Sequence, residues 1–344
     1  MEGRNPSVEI IIPHFRGFAM LERCLDSLAE TRYPAMDICI VDNDSGEGGA
    51  LGGLERKFEK LRVTSLQVNK GYAGGCNSAL FSSSADYVVF LNDDAVVEPS
   101  WLQPLVEAAE TDGSIAALQP KILSFREHRK GKKVFDYAGG AGGLIDRLGY
   151  PYCYGRTFYR VENDFGQYDR EQDIFWASGV AMFARREVVA ELGGFDEDFF
   201  MHMEEIDLCW RILLNGYRIA SVPLSTVYHE GGASLDRGSP EKTYLNHRNN
   251  LTMLFKNRGT AALVWVLPLR LLLECLAAAR YLAAGQYRLE KAAGVLRALL
   301  DNVLRLRHTL RKRKIVQRGR TVSDSKLFCR TPFTILFSRT VRKK

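Results

Sequence analysis

The sequence has no CxxC pair, no GxGxxG run and no GK[ST] tripeptide, and each absence removes a class of function. Without GxGxxG or GK[ST] the usual dinucleotide fingerprint and the P-loop lose ground. The seven cysteines (Cys24, Cys39, Cys76, Cys153, Cys209, Cys275 and Cys329) are odd in number and scattered, several of them inside apolar runs. They read as small core residues in a reducing compartment, and they suggest no zinc site. The opening MEGRNPSVEIIIP holds too short an apolar run for a signal peptide, so the body is expected in the cytosol. Acid is scarce at the other end. From Lys256 onward there are 21 Lys and Arg against Glu274, Glu290, Asp301 and Asp324, which leaves 26 basic against 37 acidic residues before it. An acidic body with a basic tail implies an anionic partner for the tail, either membrane phospholipid or nucleic acid.

What is present is a succession of strands that stop on polar residues. Val8 to Ile12 is closed by Pro13, His14 and Phe15; the helical spacing of Leu21, Cys24, Leu25 and Leu28 predicts a helix over 18–30; and Asp37 to Val41 runs into Asp42, Asn43 and Asp44. Strand, helix, strand, loop opens a parallel, right-handed α/β sheet. A third strand, Val63 to Val68, leads into Asn69, Lys70, Gly71, Tyr72, Ala73, Gly74, Gly75, Cys76 and Asn77, whose glycines permit close backbone approach before a helix over 73–84. Tyr87 to Leu91 is continuously apolar, as in a strand covered on both faces, and ends on Asn92, Asp93 and Asp94. Carboxylates at the carboxyl edge of an open α/β sheet suit a hard divalent cation bridging phosphate oxygens, although the same tripeptide fits an Asx turn.

Further on, helix 99–111 and strand 115–118 precede an irregular region, 126–173, rich in glycine and tyrosine, which reads as a lid or binding surface or as hairpins completing a sheet. Phe175, Trp176, Ala177, Ser178 and Gly179 then enter a strand over 180–184. A second acidic cluster follows, Glu204, Glu205 and Asp207, at the start of a helix over 207–215. It reads either as favourable N-terminal helix charge or as a carboxylate among Phe199, Phe200, Met201 and Met203, with its pKa raised for general-base duty. Two short strands, 218–222 and 226–228, bring His229 and a glycine loop; a His there can be structural or a third metal ligand. A helix over 244–255 places Arg248 to meet an anion.

The order of these motifs, with PHF, VDNDS, NKGYAGGCN, FLNDD, WASG, GGFDEDFFMHMEEIDLCWR and VYHEGG, resembles the inverting family 2 glycosyltransferases of GT-A fold, near the bacterial rhamnosyltransferase-like branch. The resemblance covers Val8 to about Phe255. It implies an α/β fold with a Rossmann-like mixed sheet flanked by helices: a catalytic domain over 1–255 and a basic, partly apolar helical extension over 256–344. By this resemblance Pro13, His14, Phe15, Asp42 and Asp44 contact the donor nucleoside. Asn69, Gly71, Gly75 and Asn77 shape its cleft, with Asn92, Asp93, Ser178 and Gly179 also on the donor side. Asp94 and His229 are the implied ligands of Mg²⁺ or Mn²⁺, with an amide, Asn92, in place of the first acid of the DxD motif. Glu205, or its neighbour Glu204, takes the place of the base, and Trp176, Asp207 and Arg248 are expected at the acceptor or diphosphate.

By the same resemblance the expected reaction is transfer of a sugar from a nucleoside diphosphate donor, with dTDP-rhamnose the first choice from the family branch, to a lipid-linked or polysaccharide acceptor. Nucleotidyl transfer and a silent membrane-tethered scaffold are the competing classes. The apolar stretch 261–285 is interrupted by Arg270, Glu274 and Arg280, which favours a surface-lying segment over a span of about 20 apolar residues. Arg305 to Arg320 holds eight Lys or Arg and no acid, as in a contact with anionic lipid at the inner face of the plasma membrane. No recognised nucleic-acid module accompanies the charge, so no nucleic acid is expected.

Overall fold

The computed structural model describes residues 5–157, 160–231 and 238–336. The first half alternates strand and helix: β1 (Val8–His14), α1 (Phe18–Ala29), β2 (Met36–Asp42), α2 (Gly48–Lys57), β3 (Leu61–Ser65), α3 (Gly71–Leu80), β4 (Tyr87–Leu91), β5 (Ala95–Val97), α4 (Leu102–Thr111) and β6 (Ile115–Ser124). After the short α5 (Phe125–His128), region 126–173 folds into β7 (Gly143–Ile145), β8 (Pro151–Cys153), β9 (Arg156–Thr157) and β10 (Arg160–Val161), then β11 (Gln172–Asp173). The chain continues through β12 (Ala181–Arg185), α6 (Arg186–Glu191), a 3-10 turn (Glu197–Phe199), α7 (Glu204–Leu214) and β13 (Arg218–His229). It closes with α8 (Pro240–Asn257), α9 (Thr260–Ala283), α10 (Arg288–Leu304), α11 (Leu306–Arg318) and α12 (Asp324–Leu327).

The main sheet has nine strands in the order β11-β13-β6-β12-β4-β1-β2-β3, with β5 on β13. Strands β1 to β4 are parallel, β12 is antiparallel to both its neighbours, and β13 runs parallel to β6. Side chains alternate between faces along each strand. Ile10, Ile12, Val89 and Leu91 therefore enter a core with α1 and α4, while Ile11, Val88 and Phe90 enter a second core with α3 and α7. The glycine- and tyrosine-rich region forms a separate antiparallel sheet, ordered β10-β9-β8-β7.

Several boundaries differ from the sequence expectation for identifiable reasons. The third strand begins two residues and ends three residues earlier than expected, because parallel pairing with β2 aligns Leu61 with Ile38. The two short strands near the end of the sheet are one strand, β13, with a register shift between Val222 and Thr226. That shift lies opposite Pro120, which has no N–H to give to a ladder and is tolerated inside a sheet at such a bulge. Helix α7 starts at Glu204 rather than Asp207, so both glutamates lie in its first turn. Gly232 to Ser234, part of the expected glycine loop, lie outside the described residues.

Candidate active site

Because β1, β2, β4, β6 and β13 all run in the same direction, their carboxyl ends share one edge of the sheet, and antiparallel β12 begins there. This is where an open α/β sheet receives ligands. It gathers His14 from β1, Asp42 from β2, Asn92 to Asp94 after β4, Ser178 and Gly179 before β12, and His229 ending β13. Asn92 donates its backbone N–H to Val180 at 3.0 Å, which fixes the acidic turn against the entrance to β12.

His229 is buried between two carboxylates, with Nδ1 at 3.0 Å from Asp136 and Nε2 at 3.2 Å from Asp94 Oδ1. Burial alone would favour a neutral ring, but the Asp94 charge and the Asp136 hydrogen bond outweigh it and push the pKa up to about 10. The same imidazolium holds Asp94 below the ordinary carboxylate range despite its burial. Asp94 Oδ2 accepts the N–H of Gly231 at 3.1 Å, whereas buried Oδ1 has no hydrogen-bond partner among the described residues. His14 repeats the arrangement, its two ring nitrogens 2.7 Å from Asp93 and 2.8 Å from Glu47. Burial works against its charge, yet these hydrogen bonds raise its pKa. Phe15 projects at the rim, 36% exposed, with the Arg16 guanidinium over its ring.

The α3 loop closes one side. Asn43 donates to the carbonyl of Gly71 at 2.9 Å and accepts the N–H of Lys70, while Asn69 accepts the N–H of Gly71. Gly71 is left-handed, and a Cβ there would run into the carbonyl of Phe200, so glycine is required for this approach. Gly75 packs against Pro13, and Asn77 binds the backbone of Phe195 through both ends of its amide. The Tyr72 hydroxyl donates to Gly179 at 2.7 Å, tying the α3 loop to the entrance of β12.

The approach to α7 is strained. Phe200, His202 and Met203 all have positive φ, a costly conformation for side chains of this size. Asn249 of α8 holds the turn by donating to the carbonyls of Phe199, Met201 and His202 at 2.7 to 3.0 Å. Arg248 adds bonds to Asp198 and Phe199. The turn delivers two glutamates in unequal settings. Glu204 is 5% exposed, and burial raises its pKa well above the usual range, reinforced by the neighbouring Glu205 charge. Glu205 is half-buried; burial raises its pKa to about 7, opposed by backbone N–H groups at the helix start. Each has an Oε2 without a hydrogen-bond partner among the described residues.

Residues 9–193, over half the chain, match the family described as glycosyl transferase family 2. The chain belongs to this family. It is 26% identical over 268 residues to the N-acetylglucosaminyl-diphospho-decaprenol L-rhamnosyltransferase of Mycobacterium tuberculosis, covering 73% of this chain and 83% of that protein. It is 29% identical over 250 residues to the O-antigen biosynthesis protein RfbC of Myxococcus xanthus, covering 70% of this chain but only 18% of that longer protein. Among solved structures, residues 1–349 of Staphylococcus aureus TarS in complex with UDP align with TM-score 0.55 at 17% identity, over 93% of this chain and 91% of that one. A mannosyltransferase from Pyrobaculum calidifontis, in complex with GDP-Man and Mn²⁺, aligns with TM-score 0.50 at 18% identity, over 92% and 86%. These structural likenesses establish the GT-A fold, and the family makes the chain a glycosyltransferase.

For a family 2 transferase that uses a divalent metal, Asp94 Oδ1 and His229 Nε2, an ion pair at 3.2 Å, become a fitting donor pair of carboxylate oxygen and imidazole once a metal takes the place of the ring proton between them. Among the described residues no cluster of three or more such side chains is set to hold a metal. The pair would need further ligands from a diphosphate and water, as Mg²⁺ sites commonly do.

Three expected contacts are drawn inward instead. Asp207 is fully buried and bound by Arg211, Lys256 and Asn257 at 2.7 to 2.9 Å. Trp176 is 4% exposed, its indole N–H donating to Leu144 at 2.8 Å. Arg248 spends its guanidinium on the carbonyls of Asp198 and Phe199, the Asn249 amide oxygen and the Tyr244 hydroxyl. Each answers an internal charge or hydrogen-bond demand that its sequence position does not reveal. Conversely, Glu47, Asp136 and Asn249 lie in stretches without a motif, and only folding brings them into the site.

Proposed function

We propose that this transferase moves a sugar, with dTDP-rhamnose the first candidate donor, onto a hydroxyl of a lipid-linked or polysaccharide acceptor, inverting the anomeric carbon. The observation that carries the reading is the pairing of a half-buried Glu205 having a free carboxylate oxygen with a sheet edge that presents Asp94 and His229. The rhamnosyltransferase relative supports the choice of sugar.

In the proposed mechanism Phe15 and Asp42 receive the nucleoside, and the α3 loop lines the nucleotide cleft. The acceptor hydroxyl gives its proton to Glu205 as its oxygen attacks the anomeric carbon opposite the leaving diphosphate, so one C–O bond forms as the other breaks. Glu204, the more buried of the pair, keeps its proton at neutral pH and leaves Glu205 as the base. Mg²⁺ or Mn²⁺ held by Asp94 and His229 would supply positive charge to the leaving diphosphate. Work takes place at the cytosolic face of the plasma membrane, with the basic C-terminal helices meeting anionic lipid. The test is release of nucleoside diphosphate from a panel of sugar nucleotides, with and without Mn²⁺. Metal-dependent turnover of one donor is expected, and turnover that persists with Asp94→Asn would overturn the assignment of that ligand.

A further inference from the structure

Helix α9 is amphipathic in the reverse of the usual sense. Two of its three charged residues face the protein: Arg270 and Glu274 are each 1% exposed, bonded to one another at 2.7 Å, with Arg270 also donating to Leu148 and Glu274 bound by His247 of α8, while Arg280 in the last turn is exposed. Its outer face carries Val264, Trp265, Leu271, Leu272, Leu276 and Leu282, 42 to 73% exposed. Helix α10, packed against α9 and α8, also turns large apolar side chains outward. Leu289, Leu296, Leu300, Val303 and Leu304, 57 to 73% exposed, recur at spacings that put them on one side of that helix. A soluble surface rarely leaves so continuous an apolar face uncovered. At its borders stand exposed cations: Arg280 and Arg288 near the α9–α10 turn, and Arg307, Arg311, Lys314 and Arg318 on α11.

We infer that the α9–α10 hairpin is a membrane-dipping wedge, its outer face seated in one leaflet of an anionic bilayer with the flanking arginines and lysines at the headgroups. This rests on the membrane-surface reading above and sharpens it from charge attraction to insertion. The cationic border is the complement expected for anionic headgroups, and its repulsion disfavours a second copy of the same face. Apolar length alone would allow α9 to span, since it is 24 residues with a mean hydropathy of 1.9 over its most apolar window. Spanning would surround α9 with lipid and strip the Arg270–Glu274 pair of its further partners, His247 on α8 and the Leu148 carbonyl, leaving an ion pair in hydrocarbon with its other polar atoms unmet. The helix therefore keeps its inner face on the protein and offers only its outer face.

The protein carries its own reporter. Trp101, Trp176 and Trp210 are buried at 0 to 4% exposure, whereas Trp265 is 45% exposed on the outer face. The experiment mixes the full-length chain with phosphatidylcholine vesicles with and without phosphatidylglycerol, and follows flotation, tryptophan emission and quenching by lipids brominated along the acyl chain. With anionic vesicles the emission shifts to the blue, shallow acyl bromines quench it, Trp265→Phe removes both effects, and binding survives about 1 M salt, where charges are screened beyond about 3 Å. Leu272→Glu with Leu276→Glu, at positions exposed enough to leave folding intact, lowers salt-resistant partitioning about tenfold per leucine. Binding that high salt abolishes, with Trp265 emission unmoved, overturns insertion while leaving the charge-based membrane contact standing. No binding to either vesicle overturns both. A concentration-dependent dimer that protects Trp265 overturns the wedge in favour of a copy-to-copy interface.

Discussion

Replacing Glu205 with Gln tests the proposed base through two readouts that move in opposite directions. The native carboxyl has its pKa raised from 4.5 to about 7, because burial disfavours its charge. A raised acid pKa means that between those values the folded chain holds a proton the unfolded chain has released. Stability from this group is therefore full below the unfolded value and is lost as pH rises through 7. At about 1.4 kcal/mol per pKa unit, the ionised Glu205 costs roughly 3 kcal/mol at pH 8, an order-of-magnitude figure because Glu204 shares the site. Glutamine keeps the shape and never ionises. Glu205→Gln should then match the parent near pH 4 and unfold about 4 °C higher near pH 8, using about 2.1 cal/mol/K of unfolding entropy per residue. Its turnover should fall about 10²- to 10⁴-fold with donor binding preserved. Parallel thermal denaturation at the two pH values, with nucleoside diphosphate release on the same samples, provides the assay. An equal melting difference at both pH values, or near-normal turnover, would refute the reasoning.

Other consequences are equally concrete. The parent's turnover should climb about tenfold per pH unit below 7 and level off above it, the profile of a base that must be deprotonated, and a flat profile between pH 5 and 8 would remove Glu205 from the role. Asp94→Asn should abolish the Mn²⁺-dependent part of nucleoside diphosphate binding in titration calorimetry; unchanged affinity would count against the metal pair. Asn249→Ala removes three hydrogen bonds from the strained turn before α7 and should lower turnover at least tenfold while donor affinity stays within about twofold, at roughly 1 kcal/mol per bond. Lys256→Met takes the shared cation from buried Asp196 and Asp207, which keep Lys312 and Arg211, and should cost about 1.5 to 3 kcal/mol in denaturant unfolding.

Much of the frame is readable because strand ends and turn chemistry are local. The apolar run Tyr87 to Leu91 and its polar stop mark a central strand whatever lies around it, and the residues that meet at its edge follow from parallel topology. What is not readable depends on distant partners. Asp207 looks like a third acid of a helix start, and only the approach of Lys256 and Asn257 from α8 turns it into a structural anion. Pro120 argues locally for a break, yet the bulge in β13 lets β6 run through it. Arg270 and Glu274 look like interruptions of an apolar helix until folding shows that they face inward and pair.

The most direct test of the central claim is the stereochemistry and metal dependence of transfer, followed by NMR on a donor that the panel shows to be turned over. The product should have the anomeric configuration opposite to that of the donor, form only with Mg²⁺ or Mn²⁺ and be lost in both Glu205→Gln and Asp94→Asn. Retained configuration, or undiminished transfer by either variant, would contradict the claim.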